Sequence, residues 1–336
     1  MLLILIVVAA VAAPALAPYS PLEMHVPDRF SGPTLAYLLG TDETGRDMLS
    51  LILYAARISL TVSVTAETLA LLLGVPLGVL AGYRGGLTDD FIMRALDGFL
   101  AFPGILLALT IVGMFGPHLQ FLILALGIIN TPYVARIMRA AVVGERGKDY
   151  VLAARALGAT IPRIMFRNIL PNCLSPLTVQ ASLGVAFAIL TEASLSFLGL
   201  GVQPPAASWG TLLQVGYSYI RVTPWYVLFP GLFIFATVSA ILGLYFYGPI
   251  LGGDYLVRGA EGKNQVILGA IMELILVVTA IGTAIGLFPI LRRYGERIAL
   301  AHLSFRFLEA VVISVGVVAV LSLGEIESGI CGDGRS

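Results

Sequence analysis

The chain has 336 residues, 58% of them hydrophobic and only 12% charged, about half the charged share of an average soluble domain. A water-soluble core of this size would leave too much apolar surface outside, so lipid is the implied solvent: there, helices bond their own backbone and apolar side chains face outward without penalty. Twenty basic residues balance twenty acidic ones, and the two cysteines, Cys173 and Cys331, lie far apart in sequence, so neither nucleic-acid binding, a metal site nor a disulfide framework is suggested.

Apolar runs long enough to cross a bilayer occur at about 1–17, 56–82, 92–115, 119–140, 173–199, 226–248, 265–290 and 303–323, which predicts eight spans. The first ends in Ala-Pro-Ala-Leu-Ala, the small-residue form of a signal-peptide cleavage site, but without a basic leader it reads better as a first membrane helix. Between Gly98 and Ala135 no charged side chain appears, too long a stretch for one span, and Gly116-Pro117-His118 supplies the dividing turn. Pro76 and Pro103 are expected to kink their spans. Gly74, Gly78 and Gly82 repeat at every fourth position, as do Gly282 and Gly286, a spacing that permits close helix approach.

Arginine and lysine set the orientation. Arg84 and Arg94 follow the second run; Arg136, Arg139, Arg146, Lys148, Arg155, Arg163 and Arg167 follow the fourth, so these loops are cytosolic and the first helix runs outward. The pattern fails after the sixth run, because alternation then puts Arg292, Arg293 and Arg297 outside. A junction between two unrelated membrane modules would leave such a conflict.

The most specific segment is Asp149-Tyr150-Val151-Leu152-Ala153-Ala154-Arg155-Ala156-Leu157-Gly158-Ala159, followed by Ile164 and Ile169-Leu170-Pro171-Asn172. Ala153, Ala154, Leu157, Gly158 and Ile161 are spaced to share one helical face, with side chains small enough to admit a partner surface. This segment resembles the cytosolic loop of permeases of binding-protein-dependent ATP-binding-cassette importers, whose Glu-Ala-Ala is followed by Gly, Ile and Leu-Pro. The family's Glu falls on Leu152, a departure that puts the strength of the ATPase contact in question. Gly40-Thr41-Asp42-Glu43-Thr44-Gly45-Arg46-Asp47, then Glu192 to Gly201, Gln203-Pro204-Pro205 and Ser208-Trp209-Gly210, are similar to the dipeptide, oligopeptide and nickel permeases, and the resemblance covers about residues 1–235.

The resemblance implies an all-α polytopic membrane bundle with a permease core of six spans. It implies that the loop forms a short helix docking on an ATPase subunit, with Asp149, Tyr150, Ala153, Ala154, Arg155, Leu157 and Gly158 as coupling residues. It further implies a second homologous permease subunit, an extracytoplasmic solute-binding protein, a prokaryotic cytoplasmic membrane, and a short peptide or related small solute such as a nickel complex as cargo. No Gly-x-x-x-x-Gly-Lys-Ser/Thr run is present, so no cofactor is expected on this chain and ATP falls to the partner. Neither catalytic nor metal-binding residues are expected.

Glu67, Asp97, Glu192, Glu273, Arg306 and Glu309 lie in or near apolar runs, where an unpaired charge is costly and often functional; a structural polar contact is the rival reading. From about Ile234 the permease resemblance fails. Tyr247-Gly248-Pro249-Ile250-Leu251, Gln265 to Ala270, Glu273 to Leu276, Gly282 to Leu291, and Phe305-Arg306 with Leu308-Glu309-Ala310 resemble a bacterial membrane family of unknown function. The expected organisation is a permease-like domain at 1–248, a two-helix segment at 249–323 and a disordered tail at 324–336, from a fusion or a joined reading frame. The rival functions are an ATP-independent secondary transporter or channel using the intramembrane acids, and a non-transporting fusion product.

Overall fold

The computed structural model describes residues 2–251 and scattered positions between 267 and 318. Among the described residues every extended element is a helix, the one strand-like feature being an isolated bridge between Thr41 and Asp47. Four helices are long and apolar enough to cross a membrane, or five if one bent pair counts as a span. The protein is a polytopic membrane helical bundle. The predicted spans at 265–290 and 303–323, and the tail at 324–336, lie mostly or wholly outside the described residues.

The predicted first span is two short pieces, α1 (Leu2–Val11) and α2 (Ala13–Leu16), interrupted at Ala12 with Pro14 in the first turn of α2. The reading of 1–17 as one rod is corrected to two helical pieces that meet at Ala12. The second, α3 (Met48–Arg84), has 37 residues and continues through Pro76 without a break in helix. The predicted third span is broken: α4 (Gly86–Leu100) and α5 (Gly104–Phe115) meet at 81°. Pro103 has an extended ψ of 123° at the head of α5, and a proline disfavours helix at the residue before it, so the break falls at Ala101–Pro103. Next come α6 (Leu119–Glu145), the short α7 (Asp149–Ala156) and the turn α8 (Ile161–Arg163). From α8 the helix runs through a π segment, Ile164–Ile169, and a 3-10 turn, Leu170–Cys173, into α9 (Leu174–Phe197); the fifth span thus begins at Ile161 rather than 173. The series ends with α10 (Trp209–Ser218) and α11 (Trp225–Leu251).

The chain divides into two compact units, one formed by Leu3–Leu22 with Ser50–Ile234, the other by Glu23–Leu49 with the described residues from Phe235 onward. In the first, α3 and α6 approach closely because glycine lets them. A methyl group at Gly74, Gly78 or Gly82 would come within 2.5–2.9 Å of Val134, Ala135, Met138, Arg139 or Val142. Farther along α3, Val62 and Ala66 pack with Ala108, Val112, Leu122, Ala125, Leu126 and Leu195, joining α3, α5, α6 and α9 in one core. α4 is tied to α6 by Arg139, which donates through Nε and Nη2 to both oxygens of Asp89 at 2.5 Å, and by Arg136, which donates to Asp97 at 2.5 Å. Asp97 is therefore an exposed ion-pair partner and not a bare intramembrane charge.

In the second unit the loop 40–47 is organised by the buried Asp42. Its Oδ1 accepts from the Thr44 amide and hydroxyl and the Arg46 amide, each at 2.8 Å, and its Oδ2 accepts from Arg46 Nε at 2.5 Å. Gly45, at φ +81°, has no room for a side chain against the His25 carbonyl.

Candidate functional site

Three features carry the chemistry: a short helix with an exposed outer face, and two buried carboxylates. α7 begins at Asp149, whose acidic side chain in the first turn suits the helix dipole. It ends in a complete Schellman closure, with the Gly158 amide donating to Arg155 O and the Ala159 amide to Ala154 O, both at 3.0 Å. Gly158 has φ +76°, a conformation that disfavours side chains, and open space around its Cα. Gly158 and Ile161 therefore lie beyond the helix and do not share the face inferred from spacing. The glycine stops the helix.

Val151 fixes the inner side. It is fully buried in a cluster with Val79 of α3, Met138 and Val142 of α6, and Ile164, Met165, Ile169 and Cys173, and Ala154 and Ala159 pack against that cluster. Ala154 thus turns toward the bundle, leaving Leu152, Ala153, Ala156 and Leu157 on the outside. Leu152 is 49% exposed and Leu157 88%, an apolar surface at the end of the bundle that also carries Arg84, Arg146, Lys148 and Arg155. Arg155 stacks over the Tyr83 ring, 5.9 Å from its centroid, and donates to its hydroxyl at 3.3 Å. The Tyr150 hydroxyl donates to Glu145 Oε2 at 2.7 Å and accepts from Asn172 Nδ2 at 3.2 Å. Desolvation first, and the Glu145 carboxylate second, push the Tyr150 hydroxyl up to about 12, so it keeps its proton and remains a donor.

Glu67 and Glu192 are both buried. Glu192 Oε2 accepts from Ser59 Oγ at 3.1 Å and its Oε1 from Ser196 Oγ at 2.6 Å. Ser59 Oγ in turn accepts from the Trp209 amide at 3.2 Å, and Ser208 Oγ lies 3.3 Å from Ser196 Oγ while capping α10. One carboxylate thus knits α3, α9 and the head of α10, a structural role. Glu67 sits between α3, α6 and α9, its Oε2 accepting from Asn130 Nδ2 at 2.9 Å and its carboxyl filling the space that a side chain at Gly184 would need. Its Oε1 has no hydrogen-bond partner among the described residues. Arg306 and Glu309 lie outside the described residues. Sequence reasoning missed Glu145 and Asn172 as partners of Tyr150, because they lie across turns outside α7, and Ser59 as a partner of Glu192, because no spacing rule links residues 133 positions apart.

Residues 74–252 match the family described as binding-protein-dependent transport system inner membrane component, just over half of the chain. The chain belongs to this family. The "Di/tripeptide transport system permease protein DppC" of Pseudomonas aeruginosa is 44% identical over 245 residues, covering 71% of this chain and 81% of that protein. The "Dipeptide transport system permease protein DppC" of Escherichia coli K12 is 47% identical over 243 residues, 70% of this chain and 81% of that one. Among solved structures, the "MetNI methionine ABC transporter" in inward-facing conformations aligns with 58% of this chain and 97% of its own, at 22% identity and a TM-score of 0.45. Residues 230–330 match a domain of unknown function, DUF4386, which agrees with the second resemblance in the tail. The two matches overlap at 230–252, across the boundary expected at 248. The chain is thus a multi-pass membrane transport permease that also carries a DUF4386 segment.

Proposed function

We propose that the chain is one membrane subunit of an ATP-binding-cassette importer in the bacterial inner membrane, passing short peptides by alternating access. The observation that carries this reading is α7: a short helix braced from inside by Val151 and closed by Gly158, with an exposed apolar outer face at the basic end of the bundle. An apolar helix face of that kind suits a groove on a separate ATPase subunit. Nucleotide-driven closure of the ATPase pair then moves α7 and reorients the spans, provided each partner binds one bundle conformation better than the other. A second permease subunit completes the pathway and a solute-binding protein delivers cargo from outside; the relatives named as dipeptide permeases support the peptide cargo. In this reading ATP is bound and hydrolysed on the partner.

Leu152 makes the outer face apolar where the resembled family has Glu. The contact then draws on buried apolar area rather than a charge pair, and replacing Leu157 by Glu is the more damaging change. A photo-crosslinker at Ala153 or Leu157 in intact cells is expected to capture an ATPase subunit, and Leu157→Glu to abolish capture. Peptide uptake that survives deletion of the ATPase would refute the reading and favour an ion-driven carrier.

A further inference from the structure

Docking accounts for the outer face of α7 but not for how a push there reaches the spans. The helix is joined to α6 through Arg146–Lys148 and to the next span through Leu157–Thr160, and loops of this kind absorb displacement unless something bridges them. Beyond the second loop the chain passes through the π segment Ile164–Ile169, a stretch whose hydrogen-bond ladder departs from the α register. The Val151 cluster braces α7 by close packing, whose driving force has no direction of its own, whereas a hydrogen bond fixes both distance and angle.

One hydroxyl spans both gaps. Glu145 is the last residue of α6, and its carboxylate accepts a hydrogen bond from the Tyr150 hydroxyl at 2.7 Å, a charge-assisted bond of the stronger kind. Asn172 lies in the 3-10 turn at the head of α9; its Nδ2 donates both to Tyr150 Oη at 3.2 Å and to Asn168 O, inside the π segment, at 2.8 Å. Lys148 donates to the other oxygen of Glu145 at 2.5 Å, holding the carboxylate in place. On the α3 side Arg155 of α7 rests on Tyr83, so α7 meets the ends of three spans, and among the described residues Tyr150 joins two of them through a single atom.

We propose that Tyr150 is a positioning residue, its hydroxyl tying α7 to α6 through Glu145 and to α9 through Asn172, so that displacement of α7 moves both spans together. This role rests on the reading of α7 as the docking surface for the ATPase. It differs from a docking contact: Tyr150 acts inward and carries force after the partner is bound. The hydroxyl keeps its proton throughout the working pH range, so the tie is always made.

The test uses the importer complex purified with its ATPase subunits and reconstituted in liposomes, with labelled dialanine as the probe. In Tyr150→Phe, which keeps the ring, the ATPase subunits copurify in unchanged amount and hydrolysis continues, while uptake per ATP hydrolysed falls about tenfold, the factor that loss of one charge-assisted bond supplies. Asn172→Ala gives a smaller fall of the same kind, and the double variant is no worse than Tyr150→Phe, because both remove one tie. Uptake per ATP unchanged in Tyr150→Phe, or hydrolysis and uptake falling in parallel, would overturn the tie. ATPase retention that is indifferent to Leu157→Glu would instead overturn the docking reading, and the tie with it.

Discussion

The contact between α3 and α6 gives the sharpest test of the bundle, in the variant Gly78→Ala. A methyl there would stand 2.5 Å from Ala135 O and 2.7 Å from Met138 Cβ, so the first contact falls about 0.9 Å short of the 3.4 Å at which ordinary contact begins. The carbonyl belongs to a helix backbone and cannot swing aside, so the helices must part along the whole Gly74–Gly82 stripe. Overpacking of this size costs about 1–3 kcal/mol, against which alanine recovers about 0.5–1 kcal/mol of helix propensity. Gly98→Ala is the control: Gly98 lies in α4, and the methyl of an alanine there would meet nothing within 4 Å, so only the propensity gain applies. Heating each purified variant in detergent and measuring the monomer that survives should place Gly78→Ala below the unmodified chain and Gly98→Ala at or above it. Equal midpoints for the two variants would refute the claim that glycine is what lets α3 and α6 meet.

Three further outcomes follow from other parts of the bundle. Glu192→Leu strips the buried Ser59 and Ser196 hydroxyls of their acceptor, at about 1–3 kcal/mol for each group left unsatisfied, and Glu192→Gln, which keeps one acceptor, is milder in the same heating assay. Gly158→Ala meets no atom and costs about 1–2 kcal/mol through its left-handed backbone alone, Gly158→Asn less, read as faster proteolysis in the loop after α7. The Tyr150 proton is held more tightly in the folded chain, at about 12, than in an unfolded one, near 10. Its contribution is therefore complete below the lower value and is lost as pH rises through the upper one, so the stability gap between the chain and Tyr150→Phe stays constant near neutrality and closes over that alkaline window.

Much of the bundle was legible because a lipid-facing helix advertises itself one-dimensionally. The runs at 119–140 and 226–248 correspond to α6 and α11 with little adjustment, since apolar residues on all sides are sufficient reason for a helix to enter lipid. Composition does not say whether a run is straight. The run at 92–115 is as apolar as its neighbours yet bends by 81° at Pro103, whereas Pro76, equally visible in sequence, leaves α3 an unbroken helix. Whether the groups freed by a proline find other partners depends on what packs beside it. The spacing of Ala153, Ala154, Leu157, Gly158 and Ile161 likewise presumed a continuous helix, and the left-handed Gly158 ends it two residues after Ala156.

What the sequence alone determined is the solvent, the class of fold and the family, because apolar length and local motifs are properties of contiguous residues. Only the tertiary structure decided which side of α7 faces outward, that Glu192 is an internal knot of three helices, and that Tyr150 meets the ends of two spans. Those facts depend on residues up to 150 positions apart, such as Ser59 and Trp209, brought together by packing that no local pattern encodes.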